Sequence, residues 1–431
     1  MDQASDAFEG DPMTTDLAFP AGDLAARVLG ATPEPFAPRR MTSHASWFVD
    51  DTNERLVAVA SPATPPTAAD EILAYALAWQ GDRDLHLVLP TPMIAQTLMR
   101  LPWIQTTVRV WETNGSGEPH PVPIPSRHQI LDLMATYPSR PTHPWRIRPD
   151  EDSWLSGLEL GGLDAQQRPS YLSWHHRGLQ VLKVSRTRHG LRVQAGVQYS
   201  MPRAGFEVFD QTINGPLTQD QRREIEDTIR TAKTHGSQTN TMGEHRLQST
   251  LRQQPEALGL VHLEREYPGY RGPGWDPTGI PGRTGYIDFL GVDRRGGLHV
   301  VETKIGHDAC VVLQVLDYAI WVQANHTAIR DDIRTRLHLH VGPASTSLTP
   351  MHLALAGGKH SPAFNAYLAG QIEALSLDTT VRVHLVEDPQ ADPIQLTSLD
   401  TRQMWEPTSP LVAPPVRGRR WPTRLTADLS N

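Results

Sequence analysis

A mixed α/β fold is predicted for this chain, and three observations predict it. Apolar runs of strand length, rich in Val, Ile, Leu and Trp, alternate with longer apolar or amphipathic runs of helix length. Pro and Gly clusters punctuate these runs at 119–125, 138–149 and 268–285. In the last third, the order helix, strand, strand, strand, helix, strand is that of a mixed sheet with helices against it. A chain of 431 residues accommodates two or three such units. The expected division is a loose tail over 1–20, an α/β unit over 21–150, a basic β-meander with a helix over 151–236, a second α/β unit over 237–400, and a Pro/Arg-rich tail over 401–431.

The elements follow in order. Residues 46–49 and 55–60 read as strands, and a Pro/Thr loop leads to a helix over 68–80. A buried strand over 85–89, a short helix over 93–101 and a strand over 107–111 come next, then a helix over 129–135 between two Pro-rich breaks. The middle unit opens at 154–160. Strands at 171–174, 179–185 and 191–198 follow, separated by Arg177-Gly178 and His189-Gly190 turns. Thr218 caps a charged helix to about Lys233, and 234–240 reads as a linker. Helix is expected again from 241 to 254, ended by Pro255, then a strand over 261–267. Beyond the Gly/Pro-rich loop lie two strands, a helix over 309–324, a strand over 337–341, a helix over 361–375 and a last strand over 381–386.

The two strands after that loop are chemically unusual. Tyr286, Ile287, Phe289 and Leu290 on one, and Leu298, Val300 and Val301 on the other, mark a buried hairpin around an Asp293-to-Gly297 turn. Yet the hairpin carries Asp288, Glu302 and Lys304. Glu302 and Lys304 lie on one strand face, about 6–7 Å apart. Antiparallel pairing can set Asp288 beside Glu302, although the register is left open. Burying such charges requires a partner, and a divalent cation is an economical one.

An acid on the preceding helix, an acid on one strand, Glu-x-Lys on the next, and Gln314-x-x-x-Tyr318 on the helix behind resemble the PD-(D/E)XK nuclease superfamily. The likeness is to its RecB-like branch, which includes the NucS-type endonuclease domains. It covers residues 241–386, and Ile287 stands where the family has Pro before the first acid. The resemblance implies a restriction-endonuclease-like core and a Mg²⁺- or Mn²⁺-dependent deoxyribonuclease, with RNA as the alternative substrate. It implies Asp288, Glu302 and the Thr303 carbonyl as metal ligands and Lys304 as the group that orients or deprotonates water. Gln314 would reach Lys304 or the phosphate, with Tyr318 beside it. Glu244, in line with Leu247 and Leu251, would be the helix acid. Glu244 also fits a capping box with Thr241. Glu264 and Glu266 alternate on their strand, so one of them is a further candidate. Cys310 reads as a small buried hydrophobe, and His307 and Asp308 as loop residues.

Composition bounds the rest. A single cysteine excludes an internal disulfide framework or a cysteine-based zinc site, and no apolar run approaches the ~18 residues of a membrane span. The acidic N-terminus carries no signal-peptide pattern, so a cytoplasmic location is expected. Net charge is −8, which disfavours nucleic acid, but its distribution favours it. Residues 165–206 contain no Asp or Glu and seven basic residues, among them Arg177, Lys183, Arg186, Arg188 and Arg192. That run suits phosphate contacts as well as a solvated sheet face. The arginines of the tail, from Arg417 to Arg424, would add attraction. DNA is therefore the expected partner, a homodimer is compatible, and a non-catalytic DNA-binding or assembly protein with the same fold is the alternative. Without a gap, Val49-Asp50, Leu73, Tyr75 and Ala76 also fall on Val292-Asp293, Leu316, Tyr318 and Ala319. Ala45, Val59 and Ser61 then occupy the places of Asp288, Glu302 and Lys304, so the N-terminal unit reads as a metal-free copy of the C-terminal one.

Overall fold

The computed structural model describes residues 21–31, 39–113, 118–137, 149–167, 170–196, 208–238, 243–272, 285–356, 362–388, 391 and 393–399. Both tails, Thr241 and the loop around Trp275 lie outside these. Among the described residues, no helix is long and apolar enough to cross a membrane.

The N-terminal unit runs α1 (Ala21–Leu29), β1 (Arg39–Arg40), β2 (Ala45–Val49), β3 (Arg55–Ala60), α2 (Ala69–Gln80), β4 (Asp84–Pro90), α3 (Thr91–Leu98), β5 (Val108–Thr113), β6 (Pro119–Val122) and α4 (Arg127–Ala135). Its strands lie in sequence order, antiparallel through β1, β2 and β3, parallel through β3, β4 and β5, antiparallel to β6. Asp50 closes the β2–β3 turn by accepting the Glu54 and Arg55 amides. Ser126 and Gln129 form a full capping box on α4. Residues 119–122 are therefore an edge strand rather than a break, a place where proline is tolerated.

The middle unit comprises α5 (Pro149–Asp152), β7 (Asp164–Gln167), β8 (Tyr171–His176), β9 (Leu179–Thr187), β10 (Gly190–Ala195), β11 (Phe209–Ile213) and α6 (Gln219–Gln238). Its five strands form one antiparallel meander. They share a core of their own with α6, through Val181, Val184, Val193, Ile225 and Ile229. Helix α6 continues to Gln238, through much of the expected linker.

The C-terminal unit is α7 (Gly243–Gln253), β12 (His262–Gly269), β13 (Gly285–Val292), β14 (Leu298–Ile305), α8 (Val311–Ala324), α9 (His326–Leu337), β15 (Met351–Ala356), α10 (Pro362–Glu373), β16 (Val381–Val386) and β17 (Leu396–Leu399). Two expectations fail here. The strand expected over 337–341 does not form: Leu337 ends α9, and His338 takes a left-handed conformation at its C-cap. The strand that follows α8 in the sheet is β15, which had not been expected. The β12–β17 sheet repeats the order and sense of the first, antiparallel, antiparallel, parallel, parallel, antiparallel.

Layering repeats as well. Helix α1 covers one face of the first sheet through Phe48, Val57 and Val88. Helix α7 covers one face of the other through Phe289, Val301 and Ala354. The remaining two faces meet across α2, α3, α8 and α10 in one continuous apolar cluster that includes Leu73, Leu87, Leu316 and Leu353. Helices α2 and α8 are buried nearly all round, as helices between two sheets must be. Polar ties cross the same boundary. Ile104 bridges Leu375. Arg100, wholly buried, donates to Asp317 at 2.6 and 2.7 Å and pairs with Asp70 at 2.6 Å, while Arg271 spans the same two carboxylates. Two arginines and two aspartates thus close on one another inside the core, the arrangement that burial of charge demands.

Candidate active site

Strand register decides what the sequence left open. The β13–β14 ladder pairs Phe289 with Val301 and goes no further towards the strand ends. The β12–β13 ladder pairs Arg265 with Phe289 and Tyr267 with Ile287, but leaves out the pair between them. Continuing both registers sets Glu266, Asp288 and Glu302 across from one another on three neighbouring strands. The sheet parts at this rung, as like charges directly opposite would require. Glu266 takes φ +52°, rare for a residue with a side chain, and its carboxylate lies 3.4 Å from Arg265.

Asp288 fills the gap. Its Oδ2 accepts from the Thr303 amide at 2.8 Å and the Thr303 hydroxyl at 2.7 Å, replacing strand pairing by side-chain pairing. A strand residue sends its N–H and C=O to the same edge, so the Thr303 carbonyl also faces the Asp288 side. Behind Thr303 lies a chain the sequence reading missed. Gln248 of α7 donates to the Thr303 hydroxyl at 3.0 Å, Arg265 donates to Gln248 at 3.0 Å, and the same guanidinium lies 2.9 Å from His245 Nδ1. Gln248 falls one turn after Glu244, on the helix face that Leu247 and Leu251 already mark.

Glu302 is fully buried, and its carboxyl is held well above the usual range by burial and then by Asp288. Gln314, the least buried residue of the α8 stretch 311–322, donates to Glu302 Oε2 at 3.0 Å. It therefore reaches the carboxylate rather than Lys304. Tyr318, one turn on, is buried in the shared core. Lys304 Nζ stands 3.9 Å from Glu244 Oε1. Burial opposes its charge, but Glu302, Asp288 and Glu244 together keep the ammonium above its ordinary range. Burial raises the Glu244 carboxyl. Asp288, Glu302, Thr303, Lys304, Gln314 and Glu244 are thus brought to one sheet edge, with Tyr318 below. Glu264 is drawn away by Arg336 at 2.7 Å. Asp308 accepts from the Cys310 amide, and burial pushes the Cys310 thiol up.

No family model, no curated protein and no solved structure matches this chain. Function has to be read from the site. Among the described residues, no three His, Cys, Asp or Glu side chains converge as a group able to hold a metal ion. Asp288 and Glu302 supply two hard oxygen donors, the set Mg²⁺ uses when waters and a phosphate complete its octahedron.

The basic residues of the meander do not form one free surface. Arg186 is paired with Glu151, and Arg192 with Asp210 at 2.6 Å, so neither charge is available to a ligand without breaking a pair. Lys183 lies over the Tyr171 ring at 4.4 Å. Arg188 is exposed at the β9–β10 turn, and Arg177 at the β8–β9 turn. Asp210 belongs to β11, just past the acid-free run, which is why the run looked uncompensated in sequence.

Proposed function

We propose that this chain is a Mg²⁺- or Mn²⁺-dependent nuclease that hydrolyses phosphodiesters in DNA through a restriction-endonuclease-like core spanning α7 to β17. One observation carries the reading: Asp288 and Glu302 oppose each other where β13 and β14 part, with Lys304 and Glu244 paired beside them. Asp288, Glu302 and the Thr303 carbonyl would hold the cation, which when bound neutralises charge on the phosphate and activates water. Gln314 orients Glu302 by donating to its Oε2, and Thr303 orients Asp288 by donating to its Oδ2. Lys304, held as an ammonium, positions water and offsets charge developing on the phosphate oxygens. Glu244, with its carboxyl raised by burial, would take the proton released on attack.

The N-terminal unit is proposed as a second copy that has lost the site. The sheets share order and sense, but the hairpins differ by one residue. Ala45 pairs with Ala60, whereas continuing the β13–β14 register one rung past its last pair, Phe289 with Val301, sets Asp288 opposite Glu302. Ala60, not Val59, therefore stands in the place of Glu302, and neither alanine can bind a cation.

Purified protein should cut DNA only with Mg²⁺ or Mn²⁺, and Glu302→Ala or Lys304→Ala should lower the rate by at least about a hundredfold while circular dichroism stays unchanged. Metal-independent cutting, or full activity in either variant, rules the reading out. A second reading, a DNA-binding or assembly protein without catalysis, is favoured by the absence, among the described residues, of a group of three His, Cys, Asp or Glu side chains able to hold a metal ion. Binding without cleavage across DNA and RNA substrates would decide for it.

A further inference from the structure

The β8–β9 turn of the meander closes on the first turn of α7, the helix that carries Glu244. Gly178 makes the contact: its φ is +81°, and a Cβ there would stand 2.1 Å from the His245 carbonyl oxygen. Only glycine permits so close an approach. The residue before it, Arg177, is exposed and holds φ +50°, a left-handed conformation that side chains other than Asn and Asp rarely adopt. Arg246 follows His245 on the helix, and Lys233 approaches from α6. The imidazole of His176, next to Arg177, is pushed down by burial and then by the charges of Arg177, Lys233 and Arg246. Arg246 is itself lowered by burial and by Arg177, against which Asp388 acts. Among the described residues neither Arg177 nor Arg246 has a carboxylate within ion-pairing distance, in contrast to Arg186 and Arg192.

Cations crowded this way repel one another, and a strained backbone holds one of them in place. Such an arrangement suits a polyanion. Arg246 lies two residues from Glu244, about 3 Å further along the helix axis but about 200° around it, so an anion bound here lies across α7 from the catalytic edge. We propose that Arg177 and Arg246 form a ridge that grips the DNA phosphodiester backbone across α7 from the catalytic edge. The inference rests on the nuclease reading and supplies its substrate-binding surface. It also moves the interface from the face of the meander to its edge against α7. The contacts are to phosphates, so they give affinity and register without sequence choice.

The test is fluorescence anisotropy with labelled duplex DNA over a salt series, using full-length protein carrying Glu302→Gln to prevent cutting. Arg177→Gly removes the charge and relieves the left-handed backbone, so it should fold at least as well as the parent. Combined with Arg246→Ala, it should weaken binding about tenfold and lower the slope of log K against log salt by about 1.8, two phosphate contacts at ~0.9 each. Arg177→Lys should restore one contact, and Arg188→Ala should change neither quantity. Parental affinity and slope in the double variant would overturn the ridge while leaving the nuclease reading intact. Loss of RNA binding with DNA binding untouched would overturn the choice of DNA. If the parent bound no nucleic acid at all, ridge and nuclease reading would fall together.

Discussion

At the scale of single residues, the members of the candidate site were visible in the sequence before their geometry was. Charged residues on apolar strands, at Asp288, Glu302 and Lys304, marked the site because burial makes such residues costly. The rung they occupy was not visible, since register depends on pairing across residues 285–305 and the hairpin turn alone allows more than one. Gln248 and Arg265 gave no signal of their own. A glutamine on a helix means little until a strand brings Thr303 beneath it. The raised carboxyl of Glu302 has a thermodynamic consequence. A group whose folded pKa lies above its unfolded value costs nothing below the unfolded value, 4.5 for this carboxyl, and destabilises the fold as pH rises through the folded one. Without metal, Glu302→Gln should therefore melt above wild type at pH 8 (well above that unfolded value), and the gap should close towards pH 4.5. Differential scanning calorimetry in EDTA measures both. Equal melting at both pH values would show that Glu302 is not strained.

Among elements, the apolar helix α8 was legible because eleven of its residues are buried and its length exceeds a strand's. Strand β15 was not. Its sequence Met-His-Leu-Ala-Leu-Ala is buried at every position, so it shows no alternation, and Met, Leu and Ala favour helix. Residues 337–341 alternate as a strand would, but α9 takes the first of them, and the stretch joins no sheet. Strand β15 also holds His352, the centre of a buried relay. His299 Nε2 lies 3.2 Å from Asp293, and His352 lies 3.0 Å from both His299 and His384. His384 in turn lies 3.0 Å from the Ser398 hydroxyl. One set of neutral tautomers satisfies every ring nitrogen, with each Nε2–H donating towards Asp293. Burial lowers all three imidazoles, His352 well below 6.5 and His384 to about 4, with Arg382 adding to the shift. Depressed histidines stabilise the fold above 6.5 and lose that contribution as pH falls towards the folded values. His352→Gln keeps one donor and one acceptor but does not titrate. Urea unfolding should therefore show a shallower loss of stability between pH 6.5 and 4 than in wild type.

For the whole molecule, charge pairing in the interior matters more than any surface feature. The repeated strand order was hinted at by Val49-Asp50 and Tyr75, although that ungapped match misplaced the rung by one residue. The shared core was not foreseen, because pairing of α2 with α8 and α10 lies beyond any local pattern. Asp317→Ala would leave Arg100 and Arg271 short of a carboxylate inside apolar surroundings, and should cost about 3–5 kcal/mol in urea unfolding. Residues 237–400 expressed alone would lose Arg100 and Asp70 together with the apolar face of α2, and should aggregate.

The two matched sheets have a further consequence if the chain cuts DNA. Two-fold enzymes that sever a duplex at one encounter present one catalytic centre to each strand. Here the N-terminal sheet has alanines, Ala45 and Ala60, where the acids would be, so one molecule would address one strand. Supercoiled plasmid should accordingly pass through an accumulating open circle before any linear form appears. The ratio of the two rate constants, read from a gel time course, would count the working centres per encounter.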